Sequence, residues 1–339
     1  MQSIYRPIIK QAVLITWKFK YLWFFGLFAA LAGNGGVYNF LFNNLEKAES
    51  RAASLVYIKA FFSDFGRFFS SDIDWAQMMS DFSFWTAVAL VILFVAVIFL
   101  IWLSISSQGA LVHAAGKHFK NIDNGFKLSF SYGSSKFWPL LLLNIFTKII
   151  ISAALLVISI PFVLVVLNGE MDMFWQNMFT VLSFIILIPV AAILAFIVKY
   201  ALIYVVNRDQ HVGLALKNGW FLFKQNWVAS LEMALVLFII NLVSSLVLLI
   251  VMVIAAIPFV LLGFVAGYIT SVTLLWTVIV VAILVMIAIV FVYGAVLNVF
   301  QNSCWVILFE KLSLGGVYSK VLRWGASFLG NKKNQASPN

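Results

Sequence analysis

The apolar residues of this chain run in uninterrupted blocks of roughly 18 residues or more, the length that crosses a bilayer as a helix, rather than in the short stripes of soluble helices. A water-soluble fold cannot absorb such blocks. Hydrophobic residues are 64% of the 339 and charged residues 10%, against about 25% charged in an ordinary soluble domain. The expected fold class is therefore all-α, a polytopic transmembrane helical bundle. Its six spans cover about 12–33, 84–106, 138–167, 178–206, 228–264 and 269–300. The first ends at Gly33-Asn34-Gly35-Gly36, a strong breaker. It follows Arg6, Lys10, Lys18 and Lys20 and reads as an anchor kept in the protein, not a cleaved signal. Residues 1–330 make one transmembrane domain with an outer insertion at 35–83, and 331–339 form a disordered cytoplasmic tail.

The charge distribution orients the bundle. Segments 1–20, 108–137, 207–227 and 301–339 hold sixteen Lys and Arg against Asp123, Asp209 and Glu310, while 35–83 and 168–177 hold eight acidic residues and four basic ones. The positive-inside bias then places both termini in the cytoplasm. It also accounts for the net charge of +10 without nucleic acid, since no compact basic domain exists to hold a duplex. The single cysteine, Cys304, excludes an intrachain disulfide and reads as a packing residue. The third and fifth blocks are longer than a bilayer needs and contain Pro161 and Pro258, so tilted or broken helices are expected there.

The chain resembles itself. Residues 141–167 align without a gap onto 238–264, with Asn144 on Asn241 and Ile160-Pro161-Phe162-Val163-Leu164 on an identical Ile257-Pro258-Phe259-Val260-Leu261. The approaches repeat as well. Ala12, Trp17, Lys20 and Trp23 are spaced much as Ala215, Trp220, Lys224 and Trp227, with a weaker version at Phe130, Lys136 and Trp138. This predicts three parallel two-helix units, each introduced by a basic-aromatic amphipathic segment. Parallel units remove the inverted-repeat argument for transport, though not transport itself.

Trp23, Trp85, Trp138, Trp227 and Trp305 fall at span boundaries, where indole rings favour the headgroup level. Lys18, Lys20, Trp23, Lys136, Trp138, Lys224 and Trp227 are the candidate lipid interface, meeting anionic headgroups on the cytoplasmic face. Residues 312–329 form a further amphipathic candidate, and helical spacing within 35–83 predicts a helix on the outer leaflet or a cap on the bundle.

Charges inside a membrane are functional candidates. A Lys148–Glu232 pair lining a polar cleft with Asn144 and Asn241 is one expectation. The other is that Lys148, Glu232 and Lys199 snorkel to the interface while the asparagines make interhelical bonds. His113, His118 and His211 are expected on surface loops, with no spacing that completes a metal set. No nucleophile elbow, phosphate loop or carboxylate pair occurs, so no catalytic, metal or cofactor-binding residue is assigned.

Thr16-Trp17-Lys18 with Leu22-Trp23, then Gln108-Gly109-Ala110-Leu111, and Val212 with Ala215-Leu216 and Gly219-Trp220 carry a resemblance. They are similar to six-span bacterial membrane proteins related to the membrane domain of some glycerophosphodiester phosphodiesterases. The resemblance covers most of the chain outside 35–83 and implies a membrane-accessory role. It transfers no catalytic residue, and without an appended phosphodiesterase domain that activity is not expected. The leading expectation is a non-enzymatic protein of a bacterial-type inner membrane that binds lipid, with a protein partner or a second copy of the chain as further company. A permease using polar groups of the third and fifth spans is the alternative, and a membrane-bound lipid enzyme the third.

Overall fold

The computed structural model describes residues 5–32, 84–122, 124–168, 173–269 and 272–314. These are all-helical, with no strand among them. The helices described are α1 (Tyr5–Lys18), α2 (Leu22–Ala32), α3 (Phe84–Phe119), α4 (Phe126–Ser135), α5 (Phe137–Asn168), α6 (Met173–Asn207), α7 (Val212–Gln225), α8 (Trp227–Tyr268) and α9 (Val272–Ser313). Gly33–Leu103 forms one compact unit, and Met1–Ala32 with Ser104–Asn339 forms the other. The insertion 35–83 and the amphipathic segment after Leu314 lie outside the described residues.

Among the described residues, four stretches are long and apolar enough to cross a membrane: Val88–Phe119, Pro189–Asn207, Trp227–Tyr268 and Val272–Ser313; α1 with α2 adds a fifth if a bent pair is one span. Apolar side chains along α8 and α9 are exposed, Leu249 and Leu284 each at 60%. Patches of that extent are not left facing water in soluble monomers. Hydrocarbon is the solvent that suits them, and a helix is the form that satisfies its own backbone there.

The expected first span, 12–33, is instead two helices meeting at 106°. Residues 19–21 form a tight corner in which the Leu22 and Trp23 amides bond the Phe19 and Lys20 carbonyls at 3.0 Å each. A straight helix would draw Lys18 and Lys20 toward hydrocarbon; the corner leaves both exposed. The Thr16 carbonyl, freed by the turn, accepts from the Trp23 indole N–H at 2.9 Å.

Two further expectations change. Helices α5 and α8 run unbroken through Pro161 and Pro258, as α6 does through Pro189. One proline in a helix interior costs about 3 kcal/mol, whereas a break exposes several backbone groups to hydrocarbon at a comparable cost for each. The second span also does not stop near 106: α3 continues to Phe119 and carries His113 and His118 into buried positions. They are helix-borne core residues, not surface-loop histidines.

Within the larger unit the short helices seat on the ends of long ones. Tyr5, Ile8, Ala12, Ile15 and Thr16 make one buried face of α1, the spacing of an amphipathic helix, and α1 and α2 both pack on α9. Helix α4 lies against α3 through Gly133, where a Cβ would fall 2.2 Å from the Ser106 carbonyl oxygen. Helix α7 lies against α6 through Gly219, where a Cβ would fall 2.8 Å from the Ile197 carbonyl oxygen. Only glycine permits backbones this close. The seats receive α9 differently: residues 303–310 are buried all round, which the apolar run Trp305–Phe309 permits.

Helices α3 and α6 end alike. Each closes on a basic residue, Lys120 or Arg208, followed by a residue in the left-handed region, Asn121 at φ 57° or Asp209 at φ 52°. The amides beyond fold back onto the last helical turns, Ile122 to Lys117 and Gln210 to Tyr204, so carbonyls at each terminus are satisfied.

Candidate functional site

The polar residues expected in one intramembrane cleft are dispersed. Asn144 is half-buried on α5; its amide N–H donates to Gln108 Oε1 at 3.0 Å and to the Leu140 carbonyl at 2.9 Å. Asn241 is exposed on α8 and does not meet it; the Ser244 hydroxyl bonds its carbonyl. The Glu232 carboxylate accepts from the Tyr5 hydroxyl of α1. Lys148 is exposed on α5, and no ion pair joins it to Glu232 among the described residues. Lys199 rests over the Trp305 ring at 5.3 Å, and Trp305 is buried, not at a lipid boundary as its position implied. Helical phase explains the dispersal: residues aligned in a repeat occupy equivalent places on different helices, which need not touch.

The charge that is gathered lies at the helix ends. Glu310, near the end of α9, is 2% exposed. Lys120 Nζ stands 3.1 Å from one carboxylate oxygen as an ion pair without hydrogen-bond geometry, and Arg208 Nη2 reaches the other at 3.4 Å. Arg208 also donates to Ser313 Oγ at 3.3 Å. One carboxylate thus holds the ends of α3, α6 and α9 together. Its sequence signal is a single acid directly after five large apolar residues, Trp305–Phe309, a place that leaves little water.

A second polar group joins α3, α4 and the turn after α6. Tyr132 stacks on His113 with centroids 3.9 Å apart. The Tyr132 hydroxyl lies 2.9 Å from the Val206 carbonyl and 2.8 Å from Asp209 Oδ1, both acceptors for its proton. Lys136 Nζ is 2.6 Å from the same Asp209 oxygen. Of the expected lipid-facing lysines, Lys136 is therefore half-buried and engaged within the protein. On the other side of α3, the Tyr21 hydroxyl donates to the Asn124 carbonyl and lies 2.7 Å from His118 Nε2, while Phe19 stacks on the His118 ring at 3.5 Å.

Lys136 first, then the Tyr132 hydrogen bond, hold the Asp209 carboxyl below its ordinary value of 3.8. A carboxylate depressed in the folded state stabilises the protein fully above its unfolded value, and that contribution is lost as pH falls through the folded value. Thermal unfolding of the wild type and of Asp209→Asn is expected to differ by a constant amount above about pH 5 and to converge as the pH falls through the lowered folded value. Asparagine tolerates the left-handed backbone at 209, so a gap that widens on acidification would contradict the assignment.

Lys18, Lys20, Trp138, Lys224 and Trp227 are exposed and Trp23 is half-buried. Trp17 packs edge-on against Trp23 at 5.6 Å, and Lys18 Nζ lies 5.4 Å from the Phe19 centroid. Aromatic bodies and ammonium groups thus crowd the corner between α1 and α2.

Long exposed apolar helices that carry few charges define a helical membrane protein. No family model matches the chain, and no curated protein or solved structure matches it either.

Proposed function

We propose that this chain is a six-span protein of a bacterial-type inner membrane, with both termini cytoplasmic, that binds anionic lipid without catalysing a reaction. The observation that carries this reading is the arrangement of α1, α4 and α7. Helices α4 and α7 each seat a glycine against a long helix and continue through a corner into α5 or α8, and α1 packs one largely apolar face on α9 before the corner into α2. Around α1 and α7, Lys18, Lys20, Lys217 and Lys224 stand exposed beside Trp17, Trp220 and Trp227. Lysines and tryptophans clustered at these helix corners suit a headgroup layer, where each basic residue near the surface contributes about 1 kcal/mol.

The same geometry supports the reading of three related units. The matching ends of α3 and α6 and the matching seats of Gly133 and Gly219 are what a duplicated unit would leave behind. The resemblance to the membrane domains of glycerophosphodiester phosphodiesterases agrees with an accessory role. A permease is less well supported, because Lys148 and Asn241 are exposed and neither an ion pair between Lys148 and Glu232 nor a hydrogen bond between Asn144 and Asn241 forms among the described residues.

Reconstitution with dansyl-labelled lipids tests the reading through tryptophan energy transfer. Phosphatidylglycerol is expected to be enriched around the protein over phosphatidylcholine. Raising the salt, or replacing Lys18, Lys20 and Lys224 with Gln, should erase the difference. Equal transfer to both lipids would remove the proposal, and solute flux abolished by Lys148→Met would put the permease in its place.

A further inference from the structure

Resting on that lipid-binding reading, we propose that the cleft between α5, α6 and α7 is a specific site for one anionic glycerophospholipid, with an acyl chain in the cleft and the headgroup on Lys217 and Lys224. The cleft has a volume of about 280 Å³ and is lined by Thr147 and Ile150 of α5, Leu194 and Ile197 of α6, and Leu216 and Trp220 of α7, among others. Its cause is local. Gly219 draws α7 to backbone contact with α6, while Leu216 and Trp220, to either side of the glycine, hold α7 away from α5. Almost no polar atom faces the cleft, and the one hydroxyl in its wall, Thr147 Oγ1, donates to the Leu143 carbonyl at 2.7 Å. A void of that kind forfeits dispersion contacts unless hydrocarbon fills it.

Charge selects the lipid. Helices α5, α6 and α7 contain no Asp or Glu, and their cations are Lys148, Lys199, Lys217 and Lys224. Lys217 and Lys224 are exposed and, seven residues apart, share one face of α7. Leu216, Trp220 and Lys224 follow one another along the neighbouring face at intervals of four, so the apolar cleft, an indole and an ammonium adjoin along α7. An anionic headgroup meets two cations and no opposing carboxylate on these helices; a zwitterionic one brings its own positive charge to the same place.

The full-length protein, in nanodiscs of equal phosphatidylglycerol and phosphatidylcholine, is released into native mass spectrometry. One retained phosphatidylglycerol per chain is expected, preferred about tenfold or more over phosphatidylcholine, as two headgroup cations imply. Leu194→Trp, which fills the cleft, should abolish retention. Lys217→Gln with Lys224→Gln should cut the preference about tenfold. Wild-type protein that retains no lipid, or retention undiminished by Leu194→Trp, overturns the site. If Leu194→Trp does not fold, the lysine pair settles the matter, and an unchanged preference overturns the site. Anionic enrichment by energy transfer without a retained lipid would leave the general reading standing and remove this one; loss of both would remove both.

Discussion

Lys120→Met combined with Arg208→Met is expected to destabilise the protein by about 3–5 kcal/mol, the cost of leaving a buried charge without its partners. Glu310 is 2% exposed and has no water to turn to, whereas the side chains of Lys120 and Arg208 are 43% and 42% exposed. The asymmetry makes a second expectation. Glu310→Gln removes the buried charge and leaves two cations that can swing into solvent, so its cost should be nearer 1 kcal/mol. Thermal unfolding of the three proteins in one detergent separates the cases. Should Glu310→Gln prove as damaging as the double replacement, the ion cluster is not a buried carboxylate held by surface cations, and the account of how the ends of α3, α6 and α9 are tied fails.

Gly133→Val is expected to cost more than about 3 kcal/mol, at or beyond the top of the range for overpacked sites. A Cβ at 133 would fall 2.2 Å from the Ser106 carbonyl oxygen and 2.5 Å from the Ala110 amide nitrogen. Both are backbone atoms of a long helix, so no side chain can rotate away and α4 must lift off α3. Lifting it would also separate Tyr132 from His113 and from the Val206 carbonyl. Gly263→Ala supplies the control, because nothing lies within 4 Å of the Cβ it would add. Alanine within a helix should leave that variant unchanged or stabilised by up to about 1 kcal/mol. A melting temperature for Gly133→Val equal to that of the control would show that the close approach of α4 to α3 is not a structural requirement.

The long helices were legible because an apolar block is a property of consecutive residues. The blocks at 138–167, 178–206, 228–264 and 269–300 correspond to α5, α6, α8 and α9 within a few residues at most ends, the last running on to Ser313. The amphipathic lead-in segments were legible for the same reason, since one face of α1 or α7 is written at intervals of three and four. The corner at 19–21 was less so. Its cause is a competition between helix continuation and the hydration of Lys18 and Lys20, and hydropathy averaged over a window does not resolve it.

Hydrophobic length and loop charge, both short-range properties, are enough to establish an all-helical chain with long apolar helices and to mark where its basic corners lie. Which polar residues meet is a different matter. Asn144 finds Gln108, Glu232 finds Tyr5, and Glu310 finds Lys120 and Arg208, partners from 36 to 227 positions away in the chain. Those pairings depend on the rotational phase of each long helix and on how near Gly133 and Gly219 let the short helices come. Phase and approach are set by packing the whole unit at once, because a hydrogen bond or ion pair acts only within a few ångströms. The linear pattern therefore singled out Asn144 and Glu232 but not Glu310, and the packed helices assigned all three their partners.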